Sequence, residues 1–218
     1  LLFQPFYIPS SSMEPTLLVG DRIFVSKYTY GYSKHSFPFS PPILNKRIFN
    51  SEPKYGDLIV FKTPSDNRTD FIKRLVGLPG DEIQIENGDL LINKEKIKKE
   101  KMIDDFEIKC GGEYSDVSAF KEVLPNDLKH TVVYNTIGNM VNSDIYIVPK
   151  DHYFFLGDNR DCSKDSRFLT SVGYVHKDNL VGKAQFIFFS SDRTIGSIFY
   201  FWKWNKSIRF DRFFKKII

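Results

Sequence analysis

A mostly β fold organised around an antiparallel sheet is predicted by three features of this 218-residue chain: Gly-Asp dipeptides ahead of short apolar runs, an Asn-Gly hairpin signal, and abundant aromatic and β-branched residues. At 41% hydrophobic and 16% aromatic residues, the chain is too apolar for a disordered segment. Gly20-Asp21 precedes IFV, Gly56-Asp57 precedes LIVF, Gly80-Asp81 precedes IQI and Gly88-Asp89 precedes LLI. Each dipeptide reads as a turn entering a strand, because Gly supplies unusual backbone angles and Asp bonds nearby backbone groups. Asn87-Gly88, between IQIE and DLLI, marks a hairpin. Residues 33 to 54 hold Pro38, Pro41, Pro42 and Pro53 with little periodicity and read as a long loop. Residues 94 to 130 are charged and irregular around Cys110-Gly111-Gly112, as in an inserted lobe, and strand signals resume at TVVY (131–134), IYIV (145–148), HYFFL (152–156) and AQFIFF (184–189). In the tail, Ile195, Ile198, Phe199 and Trp202 fall at helical spacing, and Phe210, Phe213, Phe214, Ile217 and Ile218 continue it. The expected organisation is an antiparallel β-sheet catalytic core over 1–82 plus 148–190, a smaller β-rich lobe inserted at 83–147, and a short helical, basic, aromatic tail at 191–218.

Charge is distributed unevenly. Beyond Ser190, seven Lys or Arg oppose two Asp, so the tail carries +5 and the rest of the chain about −1 out of a net +4. A near-neutral body argues against a nucleic-acid groove, which needs clustered cations where phosphates are held. The tail's aromatic and basic residues suit a helix lying in a membrane interface, and equally a helix packed on the protein's own sheet. No run of about twenty apolar residues is present. The chain opens with Leu1-Leu2-Phe3 and no initiator Met, the pattern of a fragment cut just after an apolar stretch. Cys110 and Cys162 form no C-x-x-C pair, which gives no sign of zinc or of a thioredoxin-like motif and leaves their pairing open.

Three segments hold candidate chemistry. Pro9-Ser10-Ser11-Ser12-Met13-Glu14-Pro15-Thr16 places serines in a loop braced by two prolines, which read alone is a polar linker. In Phe71-Ile72-Lys73-Arg74-Leu75, strand alternation puts Phe71, Lys73 and Leu75 on one face. Most lysines are solvated, but one set between apolar neighbours loses solvation, and its pKa falls toward the range of a useful base. Leu156-Gly157-Asp158-Asn159-Arg160-Asp161-Cys162-Ser163-Lys164-Asp165-Ser166-Arg167 crowds charges behind an aromatic strand, and Arg160 and Cys162 fall where a calcium loop would need ligands. Charge-assisted pairs that fix the loop are the better reading.

Together these patterns, S-x-S-M-x-P-T-L, I-K-R-x-V-G-L-P-G-D and G-D-N-R-D-x-S-x-D-S-R, with Tyr55–Phe61 between them, resemble the type I signal peptidases, Ser-Lys proteases that cleave signal sequences from exported proteins. The resemblance implies Ser12 as nucleophile and Lys73 as general base. It implies Ser10, with the Ser12 N–H, as the oxyanion site, Ser163 as the hydroxyl that orients the lysine, and Asp165 and Arg167 as a structural ion pair. It further implies no metal or organic cofactor, and preprotein substrates with small residues at the first and third positions before the cut. The implied setting is the outer face of the bacterial inner membrane, with an anchor upstream of Leu1; the tail's pattern adds an expected contact to lipid, and the near-neutral body an expectation of no nucleic acid. His35, His130, His152 and His176 fall outside the matched positions. Many family members carry Asn at the place of Cys162, so a reactive thiol beside Ser163 is expected to make the site sensitive to oxidation or thiol reagents. A self-cleaving, repressor-like Ser-Lys protease and an inactive, membrane-associated peptide-binding β-domain are the alternative readings.

Overall fold

The computed structural model describes residues 2–31, 51–102, 106–110, 112–135, 142–192, 195, 202 and 204–217. The proline-rich stretch up to residue 50, His35, Gly111, Ile198, Phe199 and Ile218 lie outside them. In chain order the strands are β1 (Phe3–Tyr7), β2 (Asp21–Ser26), β3 (Leu58–Lys62), β4 (Asp70–Gly77), β5 (Glu82–Glu86), β6 (Asp89–Ile92), β7 (Glu95–Lys96) and β8 (Lys98–Lys101). They continue with β9 (Phe106–Cys110), β10 (Glu113–Val123), β11 (Lys129–Asn135), β12 (Tyr146–Ile147), β13 (His152–Leu156), β14 (Val175–His176), β15 (Leu180–Ser190) and β16 (Lys215–Lys216). A single α-helical turn, α1, spans Trp204–Ser207. The fold is mostly β and its strand pairs are antiparallel.

The Gly-Asp turns share one local mechanism. At Gly20, Gly56 and Gly80 the backbone has positive φ, which glycine adopts without strain. The next residue then closes the turn twice. Asp21 donates its N–H to the Leu18 carbonyl while its Oδ2 accepts the Leu18 N–H at 2.8 Å, and the same double bond joins Asp57 to Lys54 and Asp81 to Leu78. Each strand therefore starts in a fixed direction. At the hairpin between β5 and β6, Asn87 and Gly88 both take positive φ, as a two-residue turn between twisted strands requires.

The largest sheet runs β1-β2-β15-β3-β4-β13-β14, with β16 added to β15. Because β3 lies mid-sheet, both of its faces are buried, which explains its unbroken LIVF run. Leu58 and Val60 join Met13, Leu17, Ile23, Val25 and Ile187 on one side, while Ile59 and Phe61 join Leu75, Phe155 and Leu180 on the other. Two smaller sheets, β12-β5-β6-β7 and β11-β10-β8 with β9 on β10, are built from residues between 82 and 147.

Two expectations are corrected. Residues 94 to 130 are not irregular, since they contain β7 to β10 and the start of β11, including an eleven-residue strand. Glu122, within this charged stretch, is buried on β10 against Arg160. The expected short C-terminal helix is present as α1, but the helical rhythm does not continue through the described residues beyond it: Ile208 bridges Ser191, Phe210–Arg212 form a 3-10 turn, and β16 pairs with β15. Buried Ile217 joins the core, and Arg212 reaches the fully buried Asp21 at 2.5 Å, so tertiary packing overrides the helical rhythm in this half of the tail.

Candidate active site

Ser12 sits in a 3-10 turn over Ser11–Met13. The turn is held from below by Met13 and Leu17, both fully buried, and along its backbone by Glu14 N–H to the Ser11 carbonyl and Leu17 N–H to the Met13 carbonyl. A buried apolar residue on each side of Pro15 thus fixes where the Ser12 hydroxyl points. Ser12 is 8% exposed and Lys73, opposite Ile59 on β4, is 4% exposed. Their side chains meet: Lys73 Nζ lies 2.6 Å from Ser12 Oγ and also donates to the Ile72 carbonyl at 3.0 Å. The Phe71 ring lies 5.3 Å from Nζ, on the shared strand face that alternation requires.

Burial pushes the Lys73 ammonium down to about 8, because loss of hydration outweighs the attraction of Asp165 and Asp158, and Arg167 pushes in the same direction as burial. An amine in that range is neutral often enough near pH 8 to accept a hydroxyl proton.

The loop after β13 closes over this pair. Asn159 N–H donates to the Ser12 carbonyl at 3.2 Å. Gly157 is required where it stands: a Cβ there would lie 2.2 Å from Ser163 Oγ and 2.5 Å from the Ser12 carbonyl oxygen. Asp165 accepts the Gly157 N–H and pairs with Arg167 at 2.7 Å, both side chains being buried. Ser10 Oγ lies 3.4 Å from Ser12 Oγ on the exposed side of the turn. Ser12, Lys73, Ser10, Asp165 and Arg167 are therefore gathered in one place. Ser163 is beside them, but its buried hydroxyl has no hydrogen-bond partner among the described residues, and Lys73 directs its contacts to Ser12 and Ile72 instead.

Four residues without an assigned role in the sequence reading join the segments. Arg74 Nε and Nη2 each donate to Asp158 at 2.8 Å, Thr16 Oγ1 donates to the same carboxylate at 2.5 Å, and Arg74 Nη1 donates to the Gly56 carbonyl at 2.8 Å. One buried, bidentate pair thus fastens the serine loop, the Gly56 turn, β4 and the loop after β13. These residues stood within the matched motifs, but only their contacts give them a task.

Cys162 is not a free thiol, because it forms a disulfide with Cys110 of β9 and among the described residues no cysteine is free. The thiol reactivity expected of Cys162 is therefore corrected. His130 is buried with neither ring nitrogen hydrogen-bonded among the described residues, while His152 and His176 meet edge-to-face on the β13–β14 pair. Among the described residues no group of His, Cys, Asp and Glu is arranged to hold a metal ion.

Residues 1–189 match the family described as signal peptidase, peptidase S26. The chain is 40% identical to signal peptidase I of Rickettsia typhi and 41% identical to that of Rickettsia conorii, in each case over 100% of this chain and 86% of the relative. A crystal structure of a signal peptidase I from Enterococcus faecalis is 24% identical, with a TM-score of 0.35 over 61% of this chain and 97% of its own. With a family match across nearly all of the chain and full-length relatives well above the identity that distinguishes homology from chance, the chain belongs to the signal peptidase family, peptidase S26.

Proposed function

We propose that this chain removes N-terminal signal peptides from exported preproteins as a serine endopeptidase, with Ser12 as nucleophile and Lys73 as general base. The observation that carries the reading is the 2.6 Å contact between a buried lysine and a buried serine, with burial holding the amine near 8. Neutral Lys73 takes the Ser12 proton as Oγ adds to the scissile carbonyl. The resulting oxyanion is received by the Ser10 hydroxyl and the Ser12 N–H, donors typically worth about 3 kcal/mol each. Protonated Lys73 then gives its proton to the departing amine of the mature protein, and the signal peptide remains as an ester on Ser12. Water, deprotonated by the same amine, hydrolyses the ester and restores the hydroxyl.

Among the described residues, β13 pairs with β4 only at Arg74, Leu75 and Gly77, so no strand accompanies Asp70–Ile72 on that side. An extended substrate adding there as a further strand brings its carbonyl toward Ser12. Substrates with small residues at the first and third positions before the cut follow from the likeness to the signal peptidase family. Sheet membership supports 1–82 plus 148–190 as the catalytic core and 83–147 as an accessory lobe. No described helix is long and apolar enough to cross a membrane. Exposed Trp202, Trp204, Phe210 and Phe214 favour contact with lipid, at the outer face of the bacterial inner membrane where exported substrates emerge.

The deciding experiment is cleavage of one preprotein by the chain and by Ser12→Ala and Lys73→Ala forms of unchanged circular dichroism. Loss of at least a thousandfold in both variants is expected. Near-normal cleavage by a folded Lys73→Ala form overturns the base assignment, and absence of cleavage by the unaltered chain favours a peptide-binding role without catalysis.

A further inference from the structure

The accessory strands grip the loop that covers Ser12 by several different bonds. The disulfide joins Cys110 on β9 to Cys162, immediately before Ser163, with Cα atoms 5.8 Å apart. Arg160 Nη1 donates to Glu122 on β10 at 2.9 Å and to the Tyr134 hydroxyl on β11 at 2.6 Å, with Arg160 and Glu122 both buried. Val133 N–H donates to the Asp158 carbonyl, Arg160 N–H donates to the Val133 carbonyl, and Asn135 N–H donates to the Asp161 carboxylate at 2.8 Å. Between Asp158 and Cys162, β9 thus holds Cys162, β10 holds Arg160, and β11 holds Asp158, Arg160 and Asp161.

The grip reaches the nucleophile turn. A disulfide sulfur has no proton to give, so the Ser11 hydroxyl, 3.4 Å from Cys162 Sγ, donates to it. Asn159, within the clamped stretch, donates its N–H to the Ser12 carbonyl, and its Oδ1 accepts the Cys162 N–H at 3.2 Å. Cys162 is therefore in contact, on one side, with the residue before Ser12 and, on the other, with the residue that holds the Ser12 carbonyl.

We infer that Cys110 and Cys162 are positioning residues: their disulfide holds the loop 157–163 against the Ser11–Met13 turn, so that the Ser12 hydroxyl stays within reach of a Lys73 that remains desolvated. The inference rests on the Ser12–Lys73 reading of the site. Because bond-making geometry degrades steeply with misplacement, loosening of this loop acts on turnover more than on substrate capture.

The test compares the unaltered oxidised chain, the same chain reduced with dithiothreitol, and the Cys110→Ser/Cys162→Ser double variant. The dithiol takes the place of the protein in a disulfide, leaving two cysteine thiols. Steady-state cleavage of a signal-peptide substrate is followed from pH 6 to 9.5, well below each form's melting temperature. The expected result is a kcat about tenfold lower with KM changed less than twofold, a rate midpoint shifted to higher pH as water reaches the lysine, and recovery on reoxidation of the reduced chain. If the disulfide were a plain staple, its loss would lower the melting temperature and leave kcat and the pH midpoint alone, and that outcome overturns the inference. Should the double variant fail to fold, Ser11→Ala interrupts the same path at a small side chain, and unchanged kcat and pH midpoint there overturn it equally. A Ser12→Ala control in the same assay separates the two readings, since full activity in that control removes the catalytic assignment whatever the disulfide does.

Discussion

Lys73 acts through the consequences of its own burial. Its proton is held at about 8 instead of the ordinary 10.5, so only roughly a tenth of the molecules have a neutral amine at pH 7. Cleavage measured as kcat/KM is expected to rise about tenfold per pH unit below 8 and to level off above it; a rate already flat from pH 6 contradicts Lys73 as the base. The same displacement acts on stability. Because the folded pKa lies below the unfolded one, the unfolded chain binds the extra proton, and folding carries a penalty of about 3 kcal/mol below pH 8 that disappears as pH rises through 10.5. Lys73→Met is therefore expected to be inactive, and its melting temperature relative to the unaltered chain is higher at pH 7 than at pH 10. Thermal melts of both forms at the two pH values check the sign, and a difference independent of pH contradicts it.

At the level of elements, the site depends on a strand ending early. β13 leaves the sheet at Leu156, and the next residue is a glycine pressed against both Ser163 and the Ser12 carbonyl. Gly157→Ala would force a methyl group into that space, so the loop or the serine turn must move by about an ångström; a loss of roughly a hundredfold in kcat is expected with the sheet intact. Crystallography or kinetics of the variant checks it, and activity within threefold of normal would show that the two segments are free to separate. Much of this element's neighbourhood was legible in the sequence. Gly20, Gly56 and Gly80 announced turns because positive φ and an aspartate that bonds back three residues are local events, written in adjacent letters. The three motif segments named Ser12, Lys73, Asp165 and Arg167, which meet as a group. What stayed hidden depends on distant partners. Glu122 and Arg160 are 38 residues apart, Cys110 and Cys162 are separated by 52 residues, and Ile217 is part of a helical rhythm until β15 offers it a place in the core.

Across the whole molecule, buried charges pair with one another: Arg74 with Asp158, Glu122 with Arg160 and Asp21 with Arg212 join distant parts of the chain, and Asp165 pairs with Arg167 within one loop. Such pairs add little net stability compared with apolar packing, but each is costly to break, so they favour one arrangement of sheets and loops over its near alternatives. His130 lies among them without a hydrogen bond of its own to any described residue. Its Nε2 is 3.6 Å from Glu122, too far for a bond to a carboxylate that Arg160 already occupies. Burial, followed by the nearby Arg74 cation, pushes the imidazole down to about 4, against the opposing pull of Asp158 and Glu122. The folded state therefore keeps His130 neutral at a pH where the unfolded chain protonates it, and stability falls as pH drops from 6.5 toward 4, by up to about 3 kcal/mol from this one group. His130→Leu removes that contribution and leaves the carboxylates that titrate in the same range untouched. The variant is expected to lose less stability than the unaltered chain between pH 7 and pH 4.5, as read from urea midpoints at both values. Equal losses in the two proteins would place the acid sensitivity of the fold in its ion pairs instead of in the histidine that they surround.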